Sequence, residues 1–356
     1  MVVEQLMDVI YHLMNKKFLS VLFLFLVLGC SGVAGKKTTR DYVIGFYNLE
    51  NLFDTTDDPR FNDEEFLPDG ANGWTQELYA KKLHNMASAI AAMKEANGCF
   101  HTILGVAEAE NRQVLEDLVK QKEIKAAGYG IVHYDSPDPR GIDVALLYRP
   151  SEFKVRESRA IPFDGGLRTR DILMVRGMLE GEDVAVFVAH LPSRIGGKGT
   201  DTRVVGAEII HRNAMDLMKK YPGIKIIVMG DMNDDPMDES QTKGLHARAS
   251  IEETGPEDFF CPFFRLLREG NGSLEYKGKW NLFDIIEVNS NLAAPEKPGL
   301  RIKPVDGKGH YGKVFKPAFL TQQSGKYRGT PFRTFSNGKF IDGYSDHYPT
   351  YIIIGK

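Results

Sequence analysis

Ile226-Ile227-Val228-Met229-Gly230-Asp231-Met232-Asn233-Asp234-Asp235-Pro236 is the stretch that decides how this chain is read. An unbroken apolar run rich in β-branched residues predicts a strand buried on both faces, over Ile224–Met229. Gly230 provides the close turn that ends it. Beyond the turn, Asp231 and Asn233 stand two residues apart, and so on one side of an extended backbone. A buried strand that delivers an acid and an amide to one point is how layered α/β proteins assemble sites.

Working outward, the same arrangement recurs. A strand over Tyr42–Tyr47 runs into Asn48 and Glu50, again two apart; one over Thr102–Ala107 ends at Glu108; one over Val184–Ala189 ends at His190. A strand over Leu282–Val288 carries Asp284, and Asp346-His347 stand just before the last strand, Tyr348–Ile354. Further strands are predicted over Tyr129–Tyr134, Asp143–Tyr148 and Ile172–Leu179. Between them, Thr75 caps a helix with Leu78, Leu83, Met86, Ile90 and Met93 on one face, stopped by Asn97-Gly98. A second helix is expected from Arg203 to Lys220. The alternation predicts an α/β fold. Thr55–Gly73, Asp234–Asp258 and Ala293–Lys316, rich in Pro, Gly and charge, read as surface insertions.

Taken singly, each polar residue has an ordinary explanation. Asn48 or Asp284 alone would be a turn or cap residue, and His190 alone a satisfied, half-buried histidine. As a set they are harder to dismiss, because nearly every strand end carries an acid, an amide or an imidazole. Carboxylates such as Glu108 are hard oxygen ligands, and a histidine can give a proton or a hydrogen bond to a phosphate oxygen.

The composition bounds the function. The 356 residues are 42% hydrophobic and 26% charged, enough to bury a large core. A formal net charge of -3 argues against a protein that coats nucleic acid by neutralising phosphates. Residues 1–35 read as a leader: Met14-Asn15-Lys16-Lys17 is cationic, Phe18–Leu28 is apolar but for Ser20, and Val27-Leu28-Gly29-Cys30 resembles a bacterial lipobox with Cys30 as the lipidated residue. Export as a cell-envelope lipoprotein is expected; a soluble periplasmic or secreted form and a buried N-terminal helix are the alternatives. Residues 36–356 are then one catalytic domain, expected to be monomeric. Cys99 and Cys261 lie far apart and are expected as two thiols rather than a disulfide.

The ordered motifs YNLEN, VAEAEN, AHLPSR, GDMNDDP, NLFD and SDHYP resemble the endonuclease/exonuclease/phosphatase superfamily, from about Asp41 onward. The resemblance implies a four-layer α/β/β/α sandwich of two mixed β-sheets flanked by helices. It also implies roles. Glu108 resembles the main metal carboxylate, with Asn48, Glu50 and Asp346 beside it and Mg²⁺ as the ion, Mn²⁺ being a substitute. Asp231 and Asn233 resemble the pair that orients the attacking water and binds the phosphate, and His347 the imidazole at the scissile phosphate with Asp284 as its carboxylate partner. His190 matches a second histidine of the deoxyribonuclease and sphingomyelinase branches. Arg170 resembles an arginine gripping a phosphate oxygen, and Asp143 the carboxylate behind His190.

The expected activity is hydrolysis of phosphodiester bonds by in-line water attack, on nucleic acid, phospholipid or a small molecule. The alternatives are a phosphomonoesterase acting on sugar or nucleotide phosphates, and a catalytically inactive surface binding protein on the same fold. The loop Ser193–Arg203, with Arg194 and Gly196-Gly197-Lys198-Gly199, reads equally as an extra phosphate site or as a flexible cationic loop.

Overall fold

The computed structural model describes Gln5, Met7 and residues 40–194, 199–276 and 278–356. The expected leader with Cys30, and residues 195–198 of the glycine-rich loop, therefore lie outside the described residues. The chain divides into two compact units, Met1–Arg40 and Asp41–Lys356, and the site belongs to the second. Among the described residues no helix is long and apolar enough to cross a membrane.

The apolar runs form two mixed sheets of seven strands each. In the first, β1 (Asp41–Leu52), β2 (Ile103–Ala109), β3 (Gly130–His133) and β4 (Asp143–Tyr148) are joined by β14 (Arg301–Lys303), β15 (Gly312–Val314) and β18 (Thr350–Gly355). β1 runs parallel to β2 and antiparallel to β18, so the last strand lies beside the first. In the second, β5 (Phe153–Ile161), β6 (Ile172–Leu179), β7 (Glu182–His190), β8 (Lys225–Asp231), β13 (Asp284–Asn289), β10 (Phe259–Phe260) and β9 (Ala247–Arg248) follow in that order. Two hairpins stand apart: β11 (Leu274–Tyr276) with β12 (Lys279–Asn281), and β16 (Phe335–Ser336) with β17 (Lys339–Phe340).

The sheets pack face to face, β1 against β8 and β13, and β4 against β6 and β7. Their approach is close: a Cβ at Gly105 of β2 would lie 2.4 Å from Met229 Sδ of β8, so only glycine fits there. Helix α1 (Gln76–Asn97) begins at Thr75, ends at Gly98 in the left-handed region, and buries Leu83, Met86, Ile90 and Met93 toward β1. Helix α2 (Arg112–Val119), capped by Asn111, packs beside it on β2. On the outside of the second sheet lies α3 (Thr200–Lys220), where Gly206 meets Leu191, Asn213 binds Arg159 of β5, and Met218 meets Asn289 of β13. The result is the expected α/β/β/α sandwich.

The insertions are more ordered than expected. Ala293–Lys316 contains β14 and β15, both hydrogen-bonded to β18, and Asp234–Asp258 contains edge strand β9. Thr55–Gly73 is pinned by Phe66, stacked on Phe53 at 4.1 Å, and closed by Trp74, whose indole N–H donates to Phe53 O at 3.0 Å. Strand β5 was not expected because its FKVRESRAI alternates too many charges to read as buried; it is an edge strand. Cys99 and Cys261 are both free thiols, the latter fully buried.

Candidate active site

Strand register builds half of the site. His190 of β7 pairs with Asp231 of β8, and Asp231 with Asp284 of β13, so three functional side chains sit abreast at one sheet end. β13 runs antiparallel to β8, so Asp284 arrives at the start of its strand and not, as expected, at a carboxyl end. His347 enters from the segment before β18 and places Nδ1 2.7 Å from Asp284 Oδ2 and Nε2 3.8 Å from Asp231 Oδ2. His190 Nε2 lies 3.6 Å from the same Asp231 oxygen.

The first sheet supplies the other half through two bulges. Register slips in β1 between Asn48 and Leu52, and in β2 between Ala107 and Ala109. Glu50, Asn51 and Glu108 there take positive φ of 45°, 51° and 62°, a conformation that costs about 1–3 kcal/mol per non-glycine residue. The bulges brace each other, since Asn51 N donates to Glu108 Oε2 at 2.9 Å. Glu108 Oε1 is left toward His190 Nε2, 3.9 Å away. Asn48 joins the sheets: its Nδ2 donates to Asp231 Oδ2 at 3.0 Å and its Oδ1 accepts from Glu50 N at 2.9 Å. Ser345 ties in the last segment, donating to Asn48 O at 2.7 Å and accepting from His347 N at 3.1 Å.

Burial drives the two histidines apart in charge. His190 is held well below its ordinary pKa, by burial first and then by Arg170, and is neutral. For His347 burial works in the same direction, but the Asp284 and Asp231 carboxylates outweigh it and hold the imidazole protonated well above its usual range. Asp231 is pushed up to about 6 by burial, with His347 opposing and Asp284 and Glu108 adding to the rise. Opposed environments of this kind are how one site holds both an acid and a base near neutrality.

The donor set suits a hard cation. Asp231, Asp284 and His347 each offer a ligand atom, all within 4.8 Å of one another, in a buried group that could hold a metal ion. Among the described residues, Tyr47 Oη, Asp284 Oδ1 and His190 Nδ1 are buried there without hydrogen-bond partners. A crowd of carboxylates with unsatisfied polar atoms among them is stabilised by a bound cation and its waters.

Three sequence-based expectations are corrected by the contacts. Arg170 does not offer its fork to a phosphate: Nε donates to His190 O at 3.1 Å, one terminal nitrogen to Leu191 O at 2.8 Å, and the other to Asp138 at 3.0 Å. It holds the His190-Leu191 backbone in place. Asp143 is not behind His190; it pairs with His133 Nε2 at 2.9 Å and accepts from Ser136 N. Arg194 of the expected phosphate loop is engaged by Asp234 and Asp238. Glu50 and Asp346, expected together at the metal, are bridged by Arg333, 3.5 Å and 2.8 Å away. Asn233, at φ 50°, donates its Nδ2 to Leu191 O at 3.0 Å and its backbone N–H to Asp231 Oδ1 at 3.0 Å.

Some positioning residues escaped sequence reading. Asp234 is buried between Arg203 Nε at 2.8 Å and Ser240 Oγ at 2.8 Å, fixing the turn after Asn233. Asp235 accepts from Leu282 N at 2.8 Å and so ties the β8 turn to the approach to Asp284. The available signal was the consecutive pair in GDMNDDP, where only one acid can face the site. Lys82, fully buried on α1, donates to Thr334 Oγ1 and Tyr344 O, with no signal in the sequence beyond its place in a helix.

Comparison with known proteins agrees with this architecture. Residues 43–356 match the model of the Endonuclease/Exonuclease/phosphatase family. Among solved structures, TDP2 of D. rerio complexed with single-strand DNA product shares 15% identity, covering 89% of this chain and 99% of that one, at a TM-score of 0.53. An endonuclease/exonuclease/phosphatase family protein of Bacteroides thetaiotaomicron shares 14% identity, over 89% and 98% of the two chains, at 0.55. A mannosyl-6-phosphatase of the same organism shares 15%, over 88% and 98%, at 0.54. At these identities the likeness shows the fold alone. No curated protein sequence matches the chain. The match over nearly the whole folded unit shows the family: this chain belongs to the endonuclease/exonuclease/phosphatase family and is a hydrolase acting on phosphoric ester bonds.

Proposed function

We propose that the chain hydrolyses phosphodiesters with a bound magnesium ion, by in-line attack of water. The observation that carries this reading is the register of His190, Asp231 and Asp284, met by His347 from the other sheet. Glu108 Oε1, Asn48 Oδ1 and the Asp346 carboxylate would hold the ion. When bound, a divalent cation neutralises charge that develops on the phosphate oxygens. Manganese would substitute, being served by the same oxygen ligands.

Asp231 orients the water and takes its proton; its two oxygens are fixed by Asn48 Nδ2 and Asn233 N–H, and a carboxyl titrating at about 6 is a competent base near neutrality. His347 has its Nδ1 side on Asp284, which leaves Nε2–H to donate to the departing oxygen. Neutral His190 and the Asn233 amide give hydrogen bonds to nonbridging oxygens. The site is carboxylate-rich and Arg170 is turned away, which favours the single negative charge of a diester over the dianion of a monoester.

The test is an activity panel of plasmid DNA, sphingomyelin, bis-p-nitrophenyl phosphate and p-nitrophenyl phosphate, with Mg²⁺, Mn²⁺ and chelator. Diester cleavage that chelation abolishes and Mg²⁺ restores is expected. Preferential turnover of p-nitrophenyl phosphate would replace this reading by a monoesterase. We propose in addition that Cys30 anchors an exported form to the membrane, so that Cys30→Ser would move the protein from the detergent to the aqueous phase.

A further inference from the structure

Arg333 lies between two carboxylates that the family pattern would commit to metal. Its Nε is 3.5 Å from Glu50 Oε1 and a terminal nitrogen is 2.8 Å from Asp346 Oδ2. The other Glu50 oxygen accepts from Thr334 N at 2.7 Å, so both oxygens of Glu50 are engaged by the protein. Behind them the buried Lys82 ammonium is held by Thr334 and Tyr344.

The arginine is held in place from the backbone outward. A Cβ on Gly343 would fall 1.9 Å from Arg333 O, so the two segments touch through main chain alone, and Asn85 Nδ2 clamps Gly343 O at 2.9 Å. The guanidinium side chain is 46% exposed and so stands at the mouth of the site, not in its floor. It carries its charge at any working pH, and its planar fork suits two carboxylates at once. On the other side, Glu108 Oε1 and Asn48 Oδ1 remain turned to the ion position.

We infer that Arg333 is the built-in second cation of this site, occupying with its guanidinium the Glu50–Asp346 position where a second divalent ion would otherwise bind, so that the chain works with one ion. This rests on the metal-dependent reading above and deepens it.

The experiment is titration of the whole chain with Mn²⁺ alone, bound ion being counted by electron paramagnetic resonance. One ion per chain is expected for the unmodified protein, lost in Glu108→Gln. Arg333→Ala should bind two, and the second should vanish when Asp346→Asn is added; Arg333→Lys should return to one. Circular dichroism identifies any variant that fails to fold, and Arg333→Met then stands in for alanine. Two ions in the unmodified chain with diesterase activity intact, or a single ion in folded Arg333→Ala and Arg333→Met, would overturn the inference alone. No bound ion and no activity would overturn the proposed function and this inference together.

Discussion

His347 Nδ1 and Asp284 Oδ2 lie 2.7 Å apart, although their residues come from different sheets and 63 positions separate them in the chain. Asp284 is wholly buried, so this hydrogen bond fixes both the orientation and the charge of the imidazole. His347→Ala should lower kcat by roughly 10²–10⁴-fold with KM little changed, the usual worth of a positioned proton donor. Asp284→Asn removes a carboxylate that raises the His347 pKa, so the alkaline limb of the kcat/KM profile should move to lower pH. An unmoved limb would show that His347 is not the acid.

Arg170 separates recognition from support. Arg170→Met leaves Asp138 buried without its cation and two carbonyls without donors, a loss of about 3–5 kcal/mol in the stability measured by urea unfolding. KM should stay within about threefold if the residue never touches substrate. A large rise in KM at unchanged stability would restore the phosphate-gripping role.

Asp234→Ala tests the turn after Asn233. It strips the buried Arg203 and Ser240 of their shared acceptor. Stability should fall by a similar ~3–5 kcal/mol and kcat should fall with it, because Asn233 and Asp231 share that turn. Thermal melting alongside steady-state kinetics checks both.

Glu287 provides a handle on pH that is remote from the chemistry. It is fully buried on β13 beside the Cys261 thiol, and burial pushes its carboxyl up to about 8. A folded pKa above the unfolded value means the native state binds the extra proton, so the associated stability is full below the ordinary carboxyl range and is lost as pH rises toward 8. Urea midpoints should therefore drop between pH 5 and 8, by at most ~1.4 kcal/mol per pH unit, and Glu287→Gln should flatten that slope. An identical slope in the variant would sink the assignment.

Much of this was legible because buried strands leave a simple trace. Asp143–Tyr148 and Ile172–Leu179 form strands at the expected bounds, and the polar residues that interrupt apolar runs are the ones that converge. Direction was not legible: Asp284 and His347 reach the site from the starts of antiparallel strands, and residue type at a strand end does not say which way the strand runs. Nor does type reveal occupancy. Arg170 has the right chemistry for a phosphate, but three neighbouring acceptors claim it, and only tertiary packing brings them there. Arg333 stands in RTFSNGK, a stretch without period, where no pattern could single it out.

The pairing of β1 with β18 has a consequence for biosynthesis. Tyr42 finds its neighbour Ile354 only when the last residues have been made, so a ribosome-bound chain carries its first strand one-sided through almost the whole of translation. The sheet that bears Asn48 and Glu108 therefore closes after synthesis, not during it, and a nascent polypeptide stalled before Thr350 holds most of the functional residues yet has no working centre.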